Sequence, residues 1–440
     1  MAFQVSPGVN VSEVDLTAGV QTVSLSAGAF VGPFQWGPAF EVTNIASEAD
    51  LVNTFGKPDT DTFKYWFSAA AFLAYSNQLK VVRAVTGDAL NASDSGGGVL
   101  VKNQTDYEVT FPTGDDTYGF AIAKYPGDLG NSLKVSVCPS ATAFGSWDYA
   151  NQFAAAPGTS DWVDARGGAD DEMHVVVVDE DGAFTGVANT VLERYAFLSK
   201  ASDAKNNAGD PNYYANVLNR KSAYIYWMSA QGSNTDHWGE ASTNTFGADA
   251  TPYTASLSDG LTDNSTIAGG DIAPIETGWD LFADPDSQDI SLLITGPSVV
   301  NGADATLANY VIDNIAEVRK DCVAFVSPSS NSVVNHAGSE VTDVLADRNA
   351  LTSTSYAVMD SGWKYVYDKY NDVYRWVPLN GDIAGLAART DTTNDPWFSP
   401  AGFNRGVVKN VVKLSWNPKQ LDRDDLYSKG VNPVVSFPAQ

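Results

Sequence analysis

Cysteine, histidine and basic charge are scarce in this 440-residue chain, and each scarcity removes a class of function. The two cysteines, Cys138 and Cys322, lie in or beside the apolar runs LKVSVCP and DCVAFV. A chain this long fills a core without a covalent staple, so they read as buried free thiols, in keeping with a reducing compartment. None of the three histidines, His174, His237 and His336, lies at ligand spacing from another histidine or a cysteine, so no zinc pattern is present. Lys and Arg number 26 against 53 Asp and Glu, a formal net charge of −27. So negative a chain repels phosphate, which argues against nucleic acid and against an anionic membrane as direct partners. No stretch approaches the roughly 18 consecutive apolar residues of a membrane helix. The first residues lack the basic and long apolar regions of a secretory signal.

What is present suffices for real cores. The chain is 44% hydrophobic and 11% aromatic, and its length accommodates about three domains. The opening SPGVNVSEVD is strand-like: Pro7-Gly8 punctuates its start, and Val9 and Val11 share a face with too little apolar surface to stand alone. Residues 1–21 are therefore expected to form an extended arm. VSLSAGAFVG comes next as a strand, and SEADLVNTFGKP as a short helix capped by Ser47 and stopped at Gly56 and Pro58. TFKYWFSAAAFLAYS is helical, with Phe63, Trp66, Ala70 and Leu73 at helical spacing, and KVVRAV is a buried strand.

A second compact stretch lies far downstream. ISLLITG, ADATLANYVIDNIAEVRK and DCVAFVSP form a strand–helix–strand unit, with Leu307, Val311, Ile315 and Val318 on the helix's apolar stripe. Such a unit implies parallel pairing and a right-handed crossover. KYVYDKYNDVYRWVPL alternates as a hairpin. Between the two stretches the texture becomes Gly-, Ser- and Asp-rich, with MHVVVVDEDGAFTGV predicted as two strands joined at Asp181-Gly182. The fold class expected is α/β (mixed α+β) and multidomain. A discontinuous core over 22–87 and 272–424 would carry a β-rich insertion at 118–271.

Catalytic patterns are absent. FGKP puts proline where a phosphate-binding loop needs its hydroxyl, no G-x-S-x-G occurs, and TGPSVVNGAD does not fit a dinucleotide turn. No cofactor is implied. WDLFADPDSQD gathers Asp280, Asp284, Asp286 and Asp289, a candidate cation loop; Pro285 and the missing Gly and Glu of a calcium loop favour a solvated helix-to-strand connection. Lys409, Lys413, Lys419, Arg423 and Lys429 gather late in the chain, a charge asymmetry that a neighbouring subunit could read or that is simply a solvated face. A large, acidic, motif-poor chain with an extended arm suits a structural, self-assembling role.

Several long strings carry a family resemblance. SPGVNVSEVD, FQWGPAF, DLVNTFG, LKVVRAV, YPGDLGN, YDKYNDVYRWVPLNGDIAGLAARTD, SPAGFNRG and RDDLYSKGVNPV resemble contractile tail sheath proteins of myophages, closest to the T-even type, from the first residues to the last. The resemblance implies a subunit that stacks as homo-hexameric rings around an inner tube in the virion tail, after assembly in the host cytoplasm. It implies contacts with the tail tube protein, the baseplate and the tail terminator, and contraction that drives the tube through the host envelope. It also implies no enzymatic activity, and an N-terminal arm (Pro7, Gly8, Val9, Val11 and Val14) that adds a strand to a neighbour's sheet. Family-motif positions expected in the core or lattice are Trp36, Gly37, Tyr370, Arg375, Trp376, Arg389, Asp391, Gly402, Asn404 and Arg405.

Two departures from the family pattern set further expectations. Residues 88–117 are short where such proteins insert a protruding domain, so that domain is expected to be reduced. Residues 425–440 are expected to begin a tube-facing domain that is mostly missing, as in a truncated form. Two other readings are an acidic carbohydrate-active virion protein with paired carboxylates, and the sheath of a non-phage contractile injection device.

Overall fold

Six short strands drawn from both ends of the chain lie parallel in one sheet. A computed structural model of the chain describes residues 26–228, 236–247, 250–298 and 306–437; the arm positions Pro7, Gly8, Val9, Val11 and Val14 lie outside them. In chain order the strands are β1 (Gly28–Gly32), β2 (Thr43–Ile45), β3 (Leu79–Arg83), β4 (Ala121–Ala123), β5 (Leu133–Cys138), β6 (Glu172–Asp179), β7 (Thr190–Ser199) and β8 (Ile225–Trp227). They continue with β9 (Tyr253–Ser256), β10 (Leu292–Ile294), β11 (Val323–Val326), β12 (Ala357–Asp360), β13 (Trp363–Asp368), β14 (Val373–Pro378), β15 (Lys413–Leu414) and β16 (Val431–Asn432). The core sheet has the order β16-β12-β11-β10-β1-β3-β2, all parallel except the edge strand β2. Its strands are buried on both faces, which explains why GAFVG and VAFV read as continuous apolar runs rather than alternating ones.

Helices cover both faces. Gly278 of the helix Ala273–Asp280 abuts Val31, while Phe72 of the helix Phe63–Leu73 abuts Gly28, three residues earlier on β1 and so on its other side. The helix Phe63–Leu73 is buried well beyond its expected stripe, at Tyr65, Trp66 and Ser68 through Phe72. It lies beside a second helix, Asn380–Thr393, which packs on the same sheet over β10 and β11. Gly381 and Gly385 permit that approach: a Cβ at Gly381 would sit 2.1 Å from the Ser68 carbonyl oxygen, and one at Gly385 2.5 Å from the Tyr75 ring.

The expected strand–helix–strand unit forms, with β10 and β11 parallel, but its helix departs from regular spacing. It runs Thr306–Val311, then a π turn at Ile312–Ala316, then Glu317–Arg319. The wider turn rotates the last helical residues, so Val318 is 64% exposed and Arg319 takes the inward position. There its guanidinium donates to the carbonyls of Phe282 (2.8 Å), Asp284 (3.2 Å) and Gln288 (2.8 Å).

The insertion is built on an antiparallel sheet, β7-β6-β5-β9. Here the hairpin expectation needs correction: β6 ends at Asp179 and β7 begins only at Thr190, so GAFTGV lies in the connection. Asp179 causes the detour. Its carboxylate accepts from the Ser132 hydroxyl (2.7 Å), the Phe184 and Thr185 amides (3.1 and 2.8 Å) and the Thr185 hydroxyl (2.8 Å). These local bonds compete with the ladder and hold residues 180–189 as a loop. Both cysteines are free and buried, and burial pushes the Cys138 thiol up to about 11 and Cys322 up to about 12.

Two further segments pack where the sequence offered other expectations. Tyr107 and Phe111 share a core with Ile122, Tyr226 and Met228, which joins residues 101–111 to the insertion. Val431–Asn432 pairs with Met359–Asp360 as the last strand of the core sheet, and Leu426 is buried in the same core.

Substituting Gly385 by alanine is expected to lower unfolding stability by about 1–3 kcal/mol, because the Tyr75 ring has to yield. Urea denaturation followed by tryptophan fluorescence measures this; an unchanged midpoint would show that the two helices do not pack this closely.

Candidate assembly surface

LKVVRAV ends β3 with Arg83, a fully buried cation. Three backbone carbonyls receive its guanidinium: Nε donates to Phe34 (3.0 Å), Nη1 to Gly37 (2.8 Å) and Nη2 to Pro126 (2.6 Å). Phe34 and Gly37 belong to FQWGPAF, and Pro126 to YPGDLGN, so three of the long strings meet at one side chain. Burial lowers the guanidinium to about 9, which leaves it charged at neutral pH. Trp36 packs edge-on against Tyr125 (5.4 Å) and Phe184 (5.1 Å), which joins core to insertion. Gly37 holds φ +96°, and a Cβ there would lie 2.5 Å from the Thr54 carbonyl oxygen. Asn131 and Gly260 exchange two hydrogen bonds (3.0 and 2.7 Å) and close the neck of the insertion.

A second buried polar centre ties the first core segment to the last. Lys364 Nζ lies 2.9 Å from Asp382 Oδ1 and 2.7 Å from Oδ2, both side chains almost completely buried. Tyr75 donates to the same carboxylate (3.1 Å) and accepts from the Lys409 amide (2.6 Å); Lys364 also donates to the Lys409 carbonyl (3.1 Å). Burial pushes the Asp382 carboxyl up, and Lys364 opposes it. Nearby, Asp360 accepts from the Ser327 hydroxyl (2.6 Å) and the Gly362 amide (2.9 Å). Burial raises its carboxyl to about 7 against these bonds.

The hairpin residues extend this anchoring. Tyr370 donates to Glu48 (2.8 Å) and stands edge-on to Trp66 (5.2 Å). Arg375 pairs with buried Asp368 (2.9 Å) and lies 4.4 Å over the Phe63 ring. Trp376 lies tilted against Tyr365, with ring centroids 4.6 Å apart. Arg389 and Asp391 are half-buried on the helix Asn380–Thr393, and Asp391 accepts from the Ser26 hydroxyl.

Past this helix the character of the surface changes. Gly402, Asn404 and Arg405 are exposed; Gly402 holds φ +117°, and Arg405 donates to the Ser399 carbonyl (3.1 Å). Among the described residues, half of the large exposed apolar side chains, eight of sixteen, fall between Trp397 and Phe437. Trp397 is 78% exposed, Tyr427 77% and Leu421 75%. Residues 397–437 carry six basic and three acidic side chains, +3 in a chain of −27. The late basic cluster is therefore interleaved with uncovered apolar side chains rather than spread on an ordinary solvated face. Sequence reasoning saw its charge but not its exposed apolar content, since tryptophan, leucine and tyrosine at these positions are indistinguishable in sequence from core residues.

The acidic loop does not converge. Asp280 accepts from the Tyr310 hydroxyl (2.6 Å), Asp284 accepts from the Asp286 amide (3.0 Å), and Arg319 occupies the loop carbonyls. No group of three or more candidate ligands for a metal ion occurs among the described residues.

The fold is a discontinuous α/β core carrying a β-rich insertion, and residues 397–437 leave large apolar side chains uncovered among basic ones. Comparison with known proteins gives the family. Residues 290–440 match the phage tail sheath protein central domain, and residues 29–84 match the tail sheath protein Gp18 domain III N-terminal region. These two stretches supply the strands of the core sheet on either side of the insertion. The chain is 30% identical to the tail sheath protein of Salmonella phage ViI over 99% of its own length and 78% of the relative's. It is 29% identical to that of Enterobacteria phage T4, over 98% and 79%. A solved sheath tail protein from Listeria innocua aligns at 10% identity with a TM-score of 0.49, over 94% of this chain and 66% of the other. The chain belongs to the tail sheath protein family, of the T-even type. Its relatives are named for a structural part, and it is a structural sheath subunit rather than an enzyme, which sets aside the carbohydrate-active reading.

Replacing Lys364 by methionine would leave the Asp382 carboxylate buried without its counter-charge, an expected loss of about 3–5 kcal/mol in denaturant unfolding. For Asp360 the folded carboxyl holds its proton at pH values where the unfolded one has lost it. Stability is thus expected to fall as pH rises from the ordinary carboxylate range to about 7, by roughly 1.4 kcal/mol per unit crossed, and no further above. Asp360→Asn should flatten that slope in thermal melts between pH 4 and 8; an equal slope in the variant would assign the effect elsewhere.

Proposed function

We propose that the chain assembles as hexameric rings stacked around an inner tail tube, forming the contractile sheath of a phage virion. The observation that carries this reading is the uncovered face of residues 397–437, apolar and net positive on a strongly acidic chain. Exposed apolar side chains gathered in this way mark an interaction surface, and a second copy supplies both apolar surface and opposite charge. Assembly takes place in the host cytoplasm, and the tube, baseplate and tail terminator proteins are the other contacts. The residues 1–21 arm, through Val9, Val11 and Val14, adds a strand to a neighbouring subunit and tethers it while the rigid cores move. Contraction exchanges one set of contacts between copies for another, with domains kept intact. The buried anchoring at Arg83 and at Lys364–Asp382 suits rigid bodies that survive such a rearrangement.

Negative-stain microscopy of the purified chain across a concentration and salt series tests the reading. Rings or striated tubes are expected, and Trp397→Ser combined with Leu421→Ser is expected to reduce them sharply while changing unfolding stability by no more than about 0.5 kcal/mol per substitution. Monomers at every concentration would overturn it.

A further inference from the structure

The outward face of the β13–β14–β15 sheet is an aromatic ladder left partly uncovered. Lys364, Val366 and Asp368 point inward and are buried, while Tyr365 and Tyr367 alternate outward. Across the register Tyr365 faces Trp376 and Lys413, and Tyr367 faces Tyr374. The four rings form one run, with Tyr365 4.6 Å from Trp376 and 5.5 Å from Tyr374, and Tyr367 5.2 Å from Tyr374. The inner half already holds a cation: Lys413 Nζ lies 5.1 Å from the Tyr365 ring and 5.4 Å from Trp376. The outer half does not. Tyr367 and Tyr374 are about half exposed, and no cation among the described residues lies over either ring. Beside them stands the Asp372 carboxylate, which accepts from the Tyr367 hydroxyl (2.6 Å).

Two ring faces and a carboxylate at a hairpin tip make a receptor for a cation carried beside apolar surface. Of the exposed cations set among exposed apolar side chains, two flank the helix Gln420–Ser428. Lys419 precedes it, Lys429 comes directly after it, and Leu421 and Tyr427 stand out from it. We propose that the hairpin tip of one copy (Tyr367, Asp372, Tyr374) docks on this lysine-flanked helix of a second copy. The contact rests on the sheath reading and names the partner surfaces within it. Tip and helix are different patches, so the contact is head-to-tail, the kind that closes rings or propagates helical stacks rather than stopping at a dimer. The hairpin is tied to the late segment through Val412, whose amide donates to the Tyr365 carbonyl (2.8 Å), while the helix Gln420–Ser428 packs beside β16 at the end of the core sheet.

The test uses the full chain, with its two native thiols buried and out of the way. Pelleting across concentrations is expected to show that Tyr367→Ser with Tyr374→Ser raises the concentration needed for assembly about tenfold. Mixed chains carrying Tyr374→Cys and Lys419→Cys are expected to form an intermolecular disulfide on mild oxidation, and Tyr374→Cys mixed with Val187→Cys of the insertion is not. Unchanged assembly by the double variant, or equal cross-linking to Val187→Cys, would overturn the tip contact and leave the sheath reading standing. Failure of the unsubstituted chain to assemble at all would overturn both.

Discussion

The parallel pairing of Gly28–Phe30 with Leu292–Ile294 carries the whole architecture. It joins strands about 260 residues apart, and closing a flexible loop of that length costs on the order of 5 kcal/mol before any contact forms. The chain reduces this cost by closing the insertion on itself. Leu90 bridges to Leu261 and Ser93 to Ser258, so the insertion's two ends emerge side by side. To the sheet, a long excursion then behaves as a short one.

Buried charge secures this joint. Arg83 stands where core and insertion meet, and its guanidinium reads three backbone carbonyls in a fixed fork that no other side chain reproduces. Lys364 and Asp382 do the corresponding work where the first and last core segments meet, with Tyr75 and the Lys409 backbone completing the network. Groups so placed are poor sources of net stability, because desolvation offsets most of their attraction. They are demanding about geometry, however. They thereby fix how the segments they join are placed relative to one another.

The outer surface obeys a different logic. The insertion and the segment leading into it, residues 88–271, carry 25 acidic and 9 basic side chains, which keeps free subunits apart. The attractive features are concentrated at the other end of the chain, in the exposed face of residues 397–437 and the aromatic hairpin beside it. Repulsion spread widely and attraction confined to defined patches favour ordered association over indiscriminate clumping.

Much of this was legible in the sequence wherever chemistry and periodicity agree locally. Ser47 caps its helix and Gly56 ends it. KYVYDKYNDVYRWVPL pairs as a hairpin, and the β-branched runs become parallel strands because only strands buried on both faces are apolar throughout. Length, charge and the scarcity of cysteine and histidine were enough to direct attention away from catalysis and nucleic acid, and the long strings were enough to find the family. Tertiary structure alone decided the rest. Whether Val318 or Arg319 faces inward depends on a π turn, and where β7 begins depends on the bonds Asp179 makes across the chain. Trp66 and Trp397 are the same residue type, one buried and one exposed, because only the folded chain determines which surfaces are already covered.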